Sequence, residues 1–168
     1  MMVIKMMVVY DSMYGNTEQI ARAIGEALGS PAEVGVYRVG DVRPEQLAGL
    51  DLLVAGSPTQ RFNATPALSS LLGSLPSDGL RGRRVSAFDT RLTLEEMKSM
   101  SSFLSLSAKL VGETAYAAKH IADAMKKKGG ELVAPPQGFY VRGAEGPLLE
   151  GELERAAGWA RQLLDKSG

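Results

Sequence analysis

The segment from Val3 to Leu28 limits the fold more than any other part of the chain. An almost continuous apolar run, Val3-Ile4-Lys5-Met6-Met7-Val8-Val9-Tyr10, leads into the polar turn Ser12-Met13-Tyr14-Gly15-Asn16-Thr17. Ile20, Ala23, Ile24, Ala27 and Leu28 then recur at helical spacing. A strand apolar on both faces belongs in the middle of a parallel sheet covered on both sides. The spacing predicts a helix from about Thr17, with Gly29 as its stop. Strand, tight turn and helix in this order aim several backbone N–H groups at one point, at the positive end of the helix dipole. That is an anion site. Gly15 lets the backbone approach closely, and Ser12, Asn16 and Thr17 add short side-chain donors. The turn lacks the lysine of a G-x-x-x-x-G-K-[ST] loop and the glycines of G-x-G-x-x-G, so one monophosphate fits better than a polyphosphate. The competing reading is that Asn16 merely caps the helix, with Gln19 completing a capping box.

The same unit recurs along the chain. Val34-Gly35-Val36-Tyr37, Leu52-Leu53-Val54-Ala55 and Val85-Ser86-Ala87-Phe88 predict strands two to four, with a polar-amphipathic stretch around Arg43 to Leu50 between the second and third. A helix is expected over Pro66 to Leu72, where proline suits the first turn. Ala115, Ala118, Ile121, Ala122 and Met125 mark one face of a helix from about Glu113 to Lys128; its closing lysines suit the negative end of the dipole. Glu131 to Ala134 and Gly138 to Val141 predict a fifth strand interrupted by Pro135-Pro136, and Glu150 to Leu164 a closing helix with Trp159 packed on the sheet. Leu92 to Leu110, with Met97, Met100, Phe103, Leu104 and Leu106 among serines, is too long for a plain loop and reads as one extra helix. The alternation implies an α/β fold with a doubly wound parallel sheet. The 168 residues are expected to form a single domain, 1–168.

Composition removes several classes of function. Nineteen Lys and Arg balance nineteen Asp and Glu, so no nucleic-acid or anionic-membrane partner is expected. The absence of cysteine excludes disulfides, thiolate metal sites and thiol catalysis, so redox chemistry would need a cofactor. The N-terminal run carries Lys5 and enters a turn rather than a cleavage site, and no stretch is long enough to span a bilayer. A cytoplasmic location is expected. No nucleophile–base pair or metal-ligand cluster stands out, so no catalytic residue and no metal site are assigned; His120 reads as a surface histidine.

The run Val8-Val9-Tyr10-Asp11-Ser12-Met13-Tyr14-Gly15-Asn16-Thr17-Glu18-Gln19-Ile20-Ala21 resembles the phosphate-loop signature of the flavodoxin family. Weaker likenesses extend along the chain: Gly56-Ser57-Pro58-Thr59 resembles the first flavin loop, and Phe88-Asp89-Thr90-Arg91 stands in the place of the second. The resemblance implies a flavodoxin-like three-layer α/β/α sandwich, a five-stranded parallel sheet of order 2-1-3-4-5, and non-covalent FMN at the switch between strands one and three. It also implies the site residues. Ser12, Asn16 and Thr17, with the backbone of Met13 to Gly15, would hold the phosphate. Ser57, Pro58 and Thr59, continuing through Gln60, Arg61 and Phe62, would pass beside the ribityl chain and ring, and Asp89, Thr90 and Arg91 would border the pyrimidine edge.

The ring end departs from the family pattern. Tyr14 and Phe62 are the only aromatics near the two flavin loops, Tyr14 replaces a small hydroxyl residue, and the loop Gln60-Arg61-Phe62-Asn63 lacks the glycine that lets a peptide turn toward the flavin N5. Arg61 and Arg91 would raise the flavin potential if they face the ring, and do nothing if solvated. Three readings follow. The first is an FMN-binding redox protein passing electrons to a protein partner. The second is an NAD(P)H:quinone oxidoreductase. The third is a flavin-free module acting through residues 92–110, the segment that would also serve as a flavin lid or join a homodimer.

Overall fold

Side-chain alternation in the first strand sets the layers. A computed structural model describes residues 5–167; Val3 and Ile4, assigned above to the first strand, lie outside them. In β1 (Met6–Tyr10), Met7 and Val9 enter one apolar cluster while Val8 and Tyr10 enter another on the opposite face. β2 (Val34–Arg38) and β3 (Leu52–Pro58) flank β1 in parallel, and β4 (Arg84–Leu92) pairs with β3. The fifth position is shared. β5 (Glu131–Leu132) pairs with Arg84 and Val85, and β6 (Gln137–Val141) with Phe88 to Leu92, both parallel to β4. Pro135 and Pro136 fall between them, where a residue without an N–H cannot extend the ladder. The order is thus β2-β1-β3-β4 followed by the divided strand, as the sequence led us to expect.

Helices α1 (Asn16–Leu28) and α6 (Glu152–Ser167) cover one face, burying Ile20, Ile24, Trp159 and Leu163 against Val8, Val54 and Phe88. The rings of Phe88, Phe139 and Trp159 meet edge to face, with centroids 6.1–6.4 Å apart. Gly56 allows this: a Cβ there would run into the Phe88 ring. Helices α2 (Pro66–Gly73) and α5 (Ala117–Lys127) cover the other face, burying Leu68, Leu72, Ile121 and Met125.

Leu92 to Leu110 is two helices rather than one, α3 (Leu94–Met100) and α4 (Ser102–Val111). The apolar spacing runs on across Ser101, but Ser101 is extended and its Oγ accepts the Leu104 N–H at 3.2 Å, starting a new helix. A hydroxyl at an N-cap stabilises a helix start by about 1 kcal/mol, enough to prevail over periodicity at an exposed position. The helix expected from Glu113 starts at Ala117, after a single 3-10 turn over Gly112–Ala115. His120 is half-buried, with Nε2 2.8 Å from the Thr114 carbonyl. Among the described residues, no helix is long and apolar enough to cross a membrane.

Candidate functional site

Parallel register brings the carboxyl ends of the strands to one edge. Tyr10 lies opposite both Arg38 and Gly56, Pro58 opposite Thr90, and Arg91 opposite Tyr140. Between β1 and β3 the order of connection reverses, and a cleft opens there, as doubly wound sheets require. Its volume is about 270 Å³. One wall is Ser12, Met13, Tyr14, Asn16 and Thr17; the other is Pro58, Thr59 and Gln60 with Thr90 and Arg91. Of the residues the sequence singled out, Gly15, Ser57, Arg61, Phe62 and Asp89 do not line it.

The loop before α1 is built around Ser12. Its Oγ accepts the N–H groups of Gly15 at 3.1 Å and Glu18 at 3.4 Å, while its own N–H donates to Asp11 Oδ1 at 2.9 Å. Gly15 is the N-cap at φ 93°, a conformation that favours glycine. Asn16 therefore stands inside the helix rather than capping it, and its Nδ2 donates to the Glu145 carbonyl at 3.1 Å. Thr17 Oγ1 lies 2.8 Å from Thr90 Oγ1, both nearly buried. The N–H groups of Met13, Tyr14, Asn16 and Thr17 meet no acceptor among the described residues. Four such donors at one helix start fit a phosphate. Met13 and Tyr14 flank the mouth with their side chains 59% exposed, leaving apolar surface beside it.

The side chains that the sequence assigned to the ring are engaged by the protein. Ser57 Oγ donates to the Pro58 carbonyl and accepts the Thr65 N–H. Thr59 Oγ1 accepts the Ala117 N–H at 3.0 Å, and Asp89 Oδ2 the Ala118 N–H at 2.9 Å, so both satisfy the start of α5. Arg91 grips Asp89 with two contacts of 2.8 and 2.9 Å, stacks 3.7 Å above the Tyr116 ring, and reaches Glu113 at 3.2 Å. A Cβ on Gly138 would collide with the guanidinium. Burial pushes the Asp89 carboxyl above its ordinary value of 3.8, against the pull of Arg91 and the Ala118 N–H. Burial would also lower Arg91, but the carboxylates of Asp89 and Glu113 outweigh it and push the guanidinium up. The guanidinium of Arg91 is thus held between the carboxyl groups of Asp89 and Glu113, which face the positive charge expected to act on the ring.

Gln60 and Asn63 exchange N–H···O bonds of 2.8 and 2.9 Å around Arg61 and Phe62, which have φ 49° and 64°. Two non-glycine residues at positive φ make this a strained hairpin turn. Phe62 packs on the cluster of Met97, Ala108 and Tyr116, and Arg61 is exposed.

Sequence reasoning missed Leu92, Val141 and Ala144 in the cleft wall, the Glu145 carbonyl, and Arg38 behind the loop. The carboxyl ends of β4 and β6 were a usable signal for Leu92 and Val141. Nothing local marked the others. At the far end of β6, Glu152 accepts the Tyr140 N–H at 2.7 Å and pairs with Arg155, which hold its carboxyl below 4.5 although burial acts the other way.

The family model for flavodoxin matches residues 8–90. Flavodoxin 2 from Bacillus cereus is 21% identical with a TM-score of 0.71, covering 96% of this chain and 99% of that one. A flavodoxin from the domain Archaea is 22% identical with a TM-score of 0.69, covering 98% and 99%. Flavodoxin 1 from Bacillus cereus is 14% identical with a TM-score of 0.71, covering 95% and 97%. These structures share the fold over nearly their whole length.

Proposed function

We propose that this chain, which the flavodoxin family model matches over residues 8–90, is a flavodoxin-type protein that binds one FMN in the cleft between β1 and β3 and passes electrons to a protein partner. The N–H groups of Met13, Tyr14, Asn16 and Thr17, without an acceptor among the described residues, carry this reading. They hold a monophosphate without lysine or metal, at the positive end of α1. Bound there, FMN supplies the redox chemistry, and the chain supplies binding, orientation and potential. Thr17 and Thr90 fix the floor through their shared hydroxyl contact. Asn16 closes the seat by tying down the loop at Glu145. Gly146 makes that closure feasible, since a Cβ on it would stand 2.6 Å from Asn16 Oδ1. Exposed Met13 and Tyr14 offer a partner an apolar landing beside the cleft.

FMN titrated into flavin-stripped protein is expected to bind at one per chain, with quenched fluorescence and a shifted visible spectrum. Reduction of the holoprotein by NAD(P)H should then require an added reductase. Uptake of no FMN would sink the proposal, and steady NAD(P)H oxidation with a quinone and no reductase would make the protein an oxidoreductase instead.

The surface of α4 adds a second element. Phe103, Leu106 and Leu110 recur on one face at 79%, 56% and 78% exposure, an apolar stripe that monomeric proteins seldom leave uncovered. We assign it to contact with a second copy of the chain. Light scattering should give twice the mass of one chain, and Phe103→Glu with Leu110→Glu should halve it; a wild-type monomer at all accessible concentrations removes the assignment.

A further inference from the structure

Arg38 ends β2 and lies directly behind the phosphate loop. Its Nη1 donates to the Ser12 carbonyl at 2.9 Å, its Nη2 contacts Glu18 Oε1 at 3.1 Å, and its guanidinium lies 5.4 Å from the centre of the Tyr10 ring. Asp11 Oδ1 is 3.9 Å away. The side chain does not line the cleft.

The contact with Ser12 has a geometric consequence. In a planar trans peptide the C=O and N–H of one unit point in opposite directions. The unit joining Ser12 to Met13 has its oxygen on Arg38, so the Met13 N–H points away from Arg38, toward the cleft that Met13 lines. That N–H is one of the four without a protein acceptor. On the other side of Ser12, its own N–H is held by Asp11 Oδ1. The orientation of this stretch is therefore set by one cation and one carboxylate from outside the cleft. A free peptide of this kind can rotate as a unit, and rotation would aim the carbonyl oxygen at the anion instead of the N–H.

Charge adds to the geometry. Asp11 and Glu18 stand beside a seat meant for a phosphate, and Arg38 and Arg22 balance them, Arg22 through Glu18 Oε2 at 2.8 Å. Among these four groups the formal charge sums to zero. Without Arg38 the phosphate would face a net negative surround.

We propose that Arg38 is a positioning residue for the flavin phosphate, holding the Ser12 carbonyl so that the Met13 N–H meets the phosphoryl oxygen. This inference rests on FMN being the ligand of the cleft. It assigns Arg38 an effect on the phosphate and none on the ring, which separates it from a residue that only stabilises the fold.

The test compares FMN and riboflavin binding in wild type, Arg38→Met, Arg38→Lys and the double variant Arg38→Met with Glu18→Gln. Losing one charge-assisted contact network should weaken FMN by at least about tenfold in Arg38→Met, with riboflavin changed by less than about twofold. Lysine should restore part of the loss. The double variant removes the charge imbalance but not the freed carbonyl, so FMN should remain weakened. In amide spectra the Met13 N–H should shift downfield on adding FMN to wild type, and less in Arg38→Met. Equal loss for FMN and riboflavin, no loss, or full recovery in the double variant would overturn the positioning role while leaving FMN binding intact. If wild type binds no FMN, the functional proposal fails first and this one with it.

Discussion

Replacing Arg91 with methionine is expected to destabilise the protein by about 3–5 kcal/mol, because it leaves the Asp89 carboxylate buried with no cation. Asp89 is fully buried and Arg91 is 6% exposed, so water cannot take over from the guanidinium. For a domain of this size, the loss corresponds to a fall in Tm of roughly 10 °C. The Ala118 N–H would remain as a partner, but one hydrogen bond does not neutralise a charge. The double variant Arg91→Met with Asp89→Leu should recover most of the loss, since a buried pair replaced whole by apolar side chains is about neutral. It should retain a deficit of about 1 kcal/mol for the unsatisfied Ala118 N–H at the start of α5.

The pH dependence of the single variant follows from the same pair. Burial already raises Asp89 above 3.8, and removing Arg91 raises it further. A carboxyl with a folded pKa above its unfolded value binds more protons when folded, so stability falls as pH rises through that window. Arg91→Met should thus lie closest to wild type in acid and depart from it toward neutral pH. Urea melts at several pH values measure this. A gap independent of pH, or a double variant no more stable than the single one, would show that Arg91 acts through its stacking on Tyr116 rather than through Asp89.

That pair also shows where reading the sequence ended. Strand alternation, the Gly29 stop, proline at Pro66 and the break at Pro135-Pro136 are local features, and all appear in the structure. The turn from Ser12 to Thr17 was legible for the same reason, because its geometry is contained in one strand–turn–helix unit. At the carboxyl ends of β3 and β4, Ser57, Thr59 and Asp89 are residue types that bind ligands and residue types that cap helices. What separates the two uses is the arrival of α5 at Ala117, far along the chain. Phe62 is similar: its neighbours Met97, Ala108 and Tyr116 come from later elements. Ser101 was readable in principle, as a serine placed three residues before Leu104, but an uninterrupted apolar period concealed it. Arg38 carried no signal at all, because a charged residue at a strand end is ordinary until the strand is set beside the loop of its neighbour.

Riboflavin is expected to bind the protein about a thousandfold more weakly than FMN. Four N–H groups at the start of α1 meet no acceptor among the described residues, and hydrogen bonds to a charged group contribute about 1.5–3 kcal/mol each. If two survive as a net gain after the phosphate is stripped of water, the difference is about 4 kcal/mol, or three powers of ten. Thr17→Val should cost far less, about tenfold for FMN, because it removes one hydroxyl and leaves every N–H in place. It also leaves the Thr90 hydroxyl without its 2.8 Å partner, so part of that loss belongs to the cleft floor and should appear for riboflavin too. Fluorescence titrations of both ligands against both proteins separate the contributions. Should riboflavin bind within about tenfold of FMN, the loop would be a helix start steadied by the Ser12 hydroxyl and nothing more. The larger ratio would place the phosphate on the N–H groups of Met13, Tyr14, Asn16 and Thr17.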